Sequence, residues 1–565
     1  MRQLSRFRSK RLAVLALIML TGCIPILVHP NAALALNVSL QPGANLDAAI
    51  SSHPAGTTFN LACGTYRFPT DNSNHQPLTP LNGDQFIGAG TINGIPSSEP
   101  CVHLTGAMRI PSDSPDHAWH AHGNLWYNTV GSANVVAAGS VAFQGTCFIG
   151  PQTCSTISVP GGCSYPQDLF FNSIIKPRLA AGDDGSMDQW PPAPGFWYFD
   201  ITGKHGPANT VWVADAPTSA TVELSAVAQA FIGSSPNVVI QNITLEKFAG
   251  AYGYGAIWAY GNNWQILNNW VEHNHYNGVT ADGSNGSLPH NWLVQYNELY
   301  QNGNGGMGGP TIAGKWQNNQ LDQNGEVSYC VDSGQKFGGT NPTISANTIN
   351  YTNGIGLWFD VGTQSGAFSG NTVRGGIGEG IRCEISHYCS ITGNTLTNNE
   401  QFSNNLCVAA HVPTPNGVDC CTGYQTGTCG SACNSDSSAP NEISIAQSDN
   451  STVGGSSANG NNLTSNCGGI GIGTGTRDTV PNTGNSVSYN SIAYTGSAAV
   501  VPHAYGYNVA SGGVTPPANT FDHNTYIFTG SGSSSKANNW HASGQSYNFS
   551  AWQANSQDAH GTANP

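Results

Sequence analysis

An all-β solenoid, a parallel β-helix, is the fold that this sequence predicts, and three observations predict it. Charged residues are only 8% of 565 positions, against about 25% in an ordinary globular protein. Long exposed helices carry Glu, Lys and Arg on one face, so few can be present. Glycine (70) and proline (32) are abundant while hydrophobic residues stay at 39%, which leaves enough for a core and argues against disorder. Finally, a short phrase recurs: apolar, any residue, Asn, any residue, apolar. It is centred on Asn242, Asn269, Asn297, Asn319, Asn347, Asn371 and Asn394, in steps of 27, 28, 22, 28, 24 and 23 residues. Later copies lie near Asn462 and at Asn490.

A period of about 25 with short β-branched stretches leaves no room for a helix in each unit, and suits a coil of three short strands per turn. The asparagines would then stack at one corner, each amide bonding the next turn. The dense Leu frame of leucine-rich repeats is missing.

The elements follow in chain order. Arg2, Arg6, Arg8, Lys10 and Arg11 precede the apolar run 12–20, which is the pattern of an export signal, so residues 1–36 are read as signal peptide. Two processing readings stand. Leu20-Thr21-Gly22-Cys23 resembles a lipobox, in which a lipid on Cys23 is the one membrane attachment expected. Otherwise cleavage follows Ala33-Leu34-Ala35. Both place the chain outside the cytoplasm, in a periplasm or at a cell surface, and it is read as a monomer. Residues 37–104 start the coil. Residues 105–235, rich in Trp, Pro and Cys and without the Asn column, read as an inserted β subdomain. Residues 236–500 form the coil core, interrupted by a Cys-rich loop at 400–440, and 501–565 cap it.

Cys23 aside, fourteen cysteines remain. An even number in an exported chain points to disulfides. Metal spacing is poor, no metal site is expected, and the pairing is not legible. Without the five basic residues of the leader the chain has 12 Lys and Arg against 31 Asp and Glu, a charge of −19. That excludes a nucleic-acid binder, which needs cations for phosphates.

The phrases 39–69, TFDHNTY (520–526) and FSAWQANSQDAHGT (549–562), with YPQDLFFN (165–172), NITLEKFAG (242–250), SGQKF (333–337), GLWFDV (356–361) and GIRCEIS (380–386), resemble the right-handed parallel β-helix superfamily of pectate-lyase-like proteins, and within it a bacterial extracellular carbohydrate-active group. The resemblance spans roughly 37–565. It implies the fold and a polysaccharide or oligosaccharide partner. The reaction stays open, because the superfamily holds lyases, hydrolases, epimerases and non-enzymes.

Lys336, Asp360 and Glu384 are 24 residues apart in each step. Strand alternation turns Leu357, Phe359, Ile381 and Cys383 inward and Trp358, Asp360, Arg382 and Glu384 outward. The expected face therefore carries two columns, Lys336/Asp360/Glu384 and Gly334/Trp358/Arg382, with Asp332 two residues along. Carboxyls about 5 Å apart suit a retaining glycosidase pair. In that reading Asp360, Glu384 and Lys336 are catalytic, while Trp358, Arg382 and Asp332 bind sugar. The alternatives are a uronate lyase, with Lys336 or Arg382 as base and Ca²⁺ on Asp332, Asp360 and Glu384, or a non-catalytic glycan-binding coil. His273, His275 and His387 read as corner groups, and Asp282 as a contributor to the same groove from earlier turns.

Overall fold

In the computed structural model the described residues are 36–564 except 73–74, 137–165, 177, 180–187, 252, 284–285, 326–333, 353, 377, 400–440, 466–467, 474–479, 481, 496–502, 509–518, 530–539 and 543–544. The Cys-rich loop and Asp332 thus lie outside the described residues.

The coil is built from three sheets of 13, 12 and 13 strands, parallel except where Gln545–Tyr547 turns back on Trp540–Ala542, so nearly every turn gives one strand to each. One turn reads Gln265–Leu267 in the first sheet, Trp270–Glu272 in the second and Asn277–Ala281 in the third. Pairing is in register with the following turn: Ile266 faces Val294, Val271 faces Leu299, and Val279 faces Met307. These residues are fully or almost fully buried and form the core column. Three-residue strands suffice because each backbone group bonds to the turn above or below.

The corner between the first and second sheets carries the Asn column. Asn269, Asn297, Asn319, Asn347, Asn371, Asn394, Asn461 and Asn490 each donate their Nδ2 to the Oδ1 of the next, and the column continues to Asn524 and ends on Asp558. Two positions differ from the sequence reading. Asn461, not Asn462, is in the ladder, and the first ladder residue, Asn269, accepts at its Oδ1 from the backbone N–H of Ile243 rather than from Asn242. Asn242 sits one residue earlier, at φ 59°, where Asn268 (φ 56°) and Asn318 (φ 55°) also sit. Asn tolerates this left-handed corner as readily as it fills the ladder.

Asn347 shows what the ladder contributes. Its side chain donates to Trp316 O (2.9 Å) and Asn371 Oδ1 (3.0 Å), and accepts from Asn319 N (2.9 Å) and Asn319 Nδ2 (3.0 Å). Asn347→Ala strands several buried donors and acceptors at about 1–3 kcal/mol each. The expected loss is about 3–5 kcal/mol, read as a lower thermal midpoint, with Asn347→Asp intermediate because it keeps only the acceptor.

The two ends are closed by short helices. Leu46–Ser52 is N-capped by Asn45, whose Oδ1 accepts from Ala48 N (2.8 Å), and buries Leu46, Ala49 and Ile50 over the first turn. Phe549–Ala554 is capped by Asn548 and buries Trp552 at the other end. Residues 107–225 add two mainly antiparallel sheets. Ala107–Ile110, Val222–Ser225, Leu169–Phe171 and Ile174–Lys176 make one. His120–His122, Leu125–Thr129, Thr210–Val213, Trp197–Asp200 and Arg178–Leu179 make the other. They enclose a core of their own around Met108, Leu169, Trp197, Val211 and Leu224. Disulfides join Cys63 to Cys101 and Cys383 to Cys389.

Candidate functional site

The predicted residues lie on the outer face of the third sheet, on the strands Gly334–Thr340, Ile355–Phe359 and Ile381–Glu384. Phe337, Phe359 and Cys383 line up inward. Outward, the register is not the one that equal spacing suggested. Lys336 faces Trp358, which faces Arg382, so the column is Lys336/Trp358/Arg382. A bulge between Gly334 and Gln335 shifts the pairing, and the step from Lys336 to its neighbour is 22 residues rather than 24. Asp360, just past the end of its strand, and Glu384 follow two positions further along, and Glu384 is in line with Ala446.

The side chains nevertheless bring the two columns together. Lys336 Nζ is 2.7 Å from Asp360 Oδ2, and Asp360 Oδ1 accepts from Val361 N–H at 2.8 Å. Arg382 Nη2 is 3.1 Å from Glu384 Oε1 and its Nη1 is 3.4 Å from Glu379 Oε2. Trp358 is not the exposed sugar platform expected: it points outward but is 1% exposed, covered by Lys336 Nζ at 4.1 Å from the ring centroid and by the Arg382 guanidinium at 5.7 Å. Cations over an indole face are attracted by its quadrupole, so the tryptophan holds the two basic groups in place.

Glu379 is the site member that the sequence reading missed. Burial pushes its carboxyl up; Arg382 opposes this and Glu384 adds to it. Glu379 therefore takes up a proton more readily than an ordinary glutamate, beside Glu384, which is paired with Arg382. Access differs among the groups. The Lys336 side chain is 46% exposed and those of Arg382 and Glu379 are each 20% exposed, whereas the Asp360 side chain is 1% exposed.

The same face extends toward earlier turns. Trp258 is in line with Thr280, which is in line with Gly308. Trp258 Nε1 donates to Asp282 Oδ2 at 3.0 Å, and Tyr254 and Tyr260 flank the indole at 4.3 and 5.9 Å. Asp282 thus belongs to this face. The histidines are corner or packing groups: His275 is paired with Asp168 (2.9 Å), His387 with Asp449 (2.6 Å), and His273 is held neutral by burial, its pKa near 4.

A calcium ion needs six to eight oxygens. Here Asp360 already meets a lysine and a backbone amide, and Glu384 an arginine, so the described donor set fits that ion poorly. No helix among the described residues is long and apolar enough to cross a membrane.

With this geometry in view, comparison with known proteins agrees on the architecture. Residues 254–423 match the family described as right handed beta helix region. The chain aligns with a structure of XylC in complex with xylose at 12% identity and a TM-score of 0.51, covering 88% of this chain and 76% of that one. Looser alignments include the catalytic unit of an α-1,3-glucanase from Streptomyces thermodiastaticus (10% identity, TM-score 0.41, 90% of this chain and 68% of that one). Another is a DFA-IIIase from Arthrobacter chlorophenolicus (12%, 0.40, 87% and 93%). No curated protein matches the sequence. The chain is a right-handed parallel β-helix protein.

Proposed function

We propose that this β-helix is an extracytoplasmic polysaccharide-active enzyme, a glycoside hydrolase acting at the outer face of its third sheet. The observation that carries the proposal is that three carboxyls on two neighbouring turns, Asp360, Glu379 and Glu384, are each paired with Lys336 or Arg382, the two basic groups that lie over Trp358. Adjacent strands are about 4.8 Å apart, which suits a two-carboxylate retaining mechanism. Glu379 supplies the proton to the leaving oxygen, Glu384 and Asp360 carry the negative charge, and Arg382 and Lys336 orient the hydroxyl groups. XylC, a protein of the same fold, is seen in complex with xylose. The disulfides support an oxidising compartment.

One observation favours a second reading, a non-catalytic glycan-binding coil. The Asp360 carboxylate lies beneath Lys336, and a capped, ion-paired face can hold a glycan without cleaving it. The uronate lyase remains as a third, with Lys336 its most accessible base.

A panel of plant and algal polysaccharides, assayed for both product types, separates these. New reducing ends without new ultraviolet absorbance support the hydrolase. Absorbance from a new double bond supports the lyase. Retained binding with neither product overturns the enzyme reading.

A further inference from the structure

We propose that Asp522, His523 and His560 bind one divalent transition-metal ion of the zinc type, which clasps the C-terminal segment to the last full turn of the coil. The three residues come from two places in the chain. Asp522 ends the strand Thr520–Asp522, and His523 follows at the left-handed corner (φ 58°), just before ladder residue Asn524. His560 lies between Asp558, the last rung of the ladder, and the strand Thr562–Ala563, which pairs with Thr525–Phe528.

Their ligand atoms converge. One oxygen or ring nitrogen from each lies within 4.8 Å of the others. Asp522 Oδ1 accepts from the backbone N–H of His523 (3.0 Å) and of His560 (2.9 Å), which fixes the carboxylate. Its Oδ2 then faces His523 Nδ1 at 3.1 Å and His560 Nδ1 at 2.9 Å. The imidazoles stack at 4.7 Å, and Tyr489 stacks on His523 at 4.5 Å, so both rings are held in orientation.

Two imidazoles thus aim the same nitrogen at one oxygen. Bonds of 2.0–2.1 Å at a tetrahedral angle put zinc ligands about 3.3 Å apart, close to the two carboxylate–imidazole distances of 2.9 and 3.1 Å. Two imidazole nitrogens and a carboxylate suit Zn²⁺ or Ni²⁺ rather than Ca²⁺ or Mg²⁺. Partial exposure of all three residues (37%, 38% and 67% of the side chains) gives an ion entry and leaves a coordination position for water. A bound ion would join the corner at 522–523 to the segment at 560, holding down the terminal strand.

The test uses the full mature chain, free of any affinity tag, stripped with EDTA and dialysed. Titration with Zn²⁺ alone should show one tight site per chain, and the thermal midpoint should rise with Zn²⁺ and fall back on adding EDTA. Co²⁺ should give the visible absorption of a low-coordinate site. His560→Ala and, separately, His523→Ala should weaken Zn²⁺ binding at least ~10-fold and abolish the midpoint rise. Asp522→Asn should act in the same direction, with the folded state of each variant checked by circular dichroism. Absence of a tight site overturns the proposal, and so does Zn²⁺ binding or a midpoint rise unaltered by either histidine substitution. The readout is metal binding, so it stands apart from any result on glycans.

Discussion

Glu384→Gln is expected to lower turnover on the substrate found in the polysaccharide panel by about 10²–10⁴-fold, the range of a lost acid–base or charged group, while glycan binding is retained. Glutamine keeps the shape of the side chain. Arg382 loses the negative charge at position 384 but keeps an acceptor oxygen there and its pairing with Glu379, so the guanidinium stays in place over Trp358. The loss should therefore appear in kcat rather than KM, because what is removed is charge needed in the transition state. Asp360→Asn should act in the same direction. It also releases Lys336, whose side chain is already 46% exposed, so the effect on stability should stay small. Glu379→Gln tests the proton. A carboxyl held above its ordinary range is protonated at higher pH than usual, and the rate of an enzyme that uses it as the acid falls as pH rises through that raised value. The Gln variant should be slow throughout and should lose that alkaline limb. Unchanged activity in both Glu384→Gln and Asp360→Asn would place the chemistry elsewhere.

The period of the coil was legible because the ladder demands one residue type at one place per turn. Asn269, Asn297, Asn319, Asn347, Asn371, Asn394 and Asn490 stand where the repeat put them. The errors came where two adjacent positions accept asparagine for different reasons, as at Asn242 and at Asn461-Asn462. At the site, alternation gave the directions of Trp358, Asp360, Arg382 and Glu384 but not their cover. Period 2 says which way a side chain leaves a strand, and nothing about a lysine folding back across the next turn. Equal spacing also hid the bulge at Gly334/Gln335, which a local pattern does not announce. Glu379 stands ahead of its strand and outside any repeat, so alternation does not single it out, although it lies only three residues before Arg382. The aromatic core column Trp264, Trp292 and Trp316, stacked at 5.8 and 6.1 Å, was equally silent.

The stability of the protein is expected to be greatest at mildly acidic pH and to fall steadily as pH rises from about 5 to about 8. Glu298 on the outer side of the second sheet is pushed up to about 8, first by burial and then by the charge of Asp322, with which it shares a hydrogen bond. Glu442, fully buried against Asn399, is pushed up to about 8 by burial, and Glu272 to about 7 by the same cause. In each case the folded state binds the proton more tightly than the unfolded chain. Their stabilisation is complete below the ordinary Glu value near 4.5 and is lost as pH climbs through 7 to 8. One pKa unit corresponds to about 1.4 kcal/mol, so all three carboxyls pull the stability down in the same direction over that window. The opposite sign applies to Glu246, held near 2 against its own burial by His103 and Lys247, and to Asp188, held near 2 by Lys204 and His205. Their stabilisation is lost only as pH falls below about 4.5 and 3.8 toward 2. The acid side of the curve is therefore protected to lower pH than the alkaline side. Thermal midpoints from pH 4 to 9 should trace this asymmetric dome. Glu298→Gln, which stays neutral and can donate to Asp322, should raise the midpoint at pH 8 while leaving it nearly unchanged at pH 5. A midpoint that is flat or rises between pH 5 and 8, or a Glu298→Gln variant with the wild-type slope, would show that these carboxyls are ionised in the folded protein and that the charge on the second sheet is neutralised by other means.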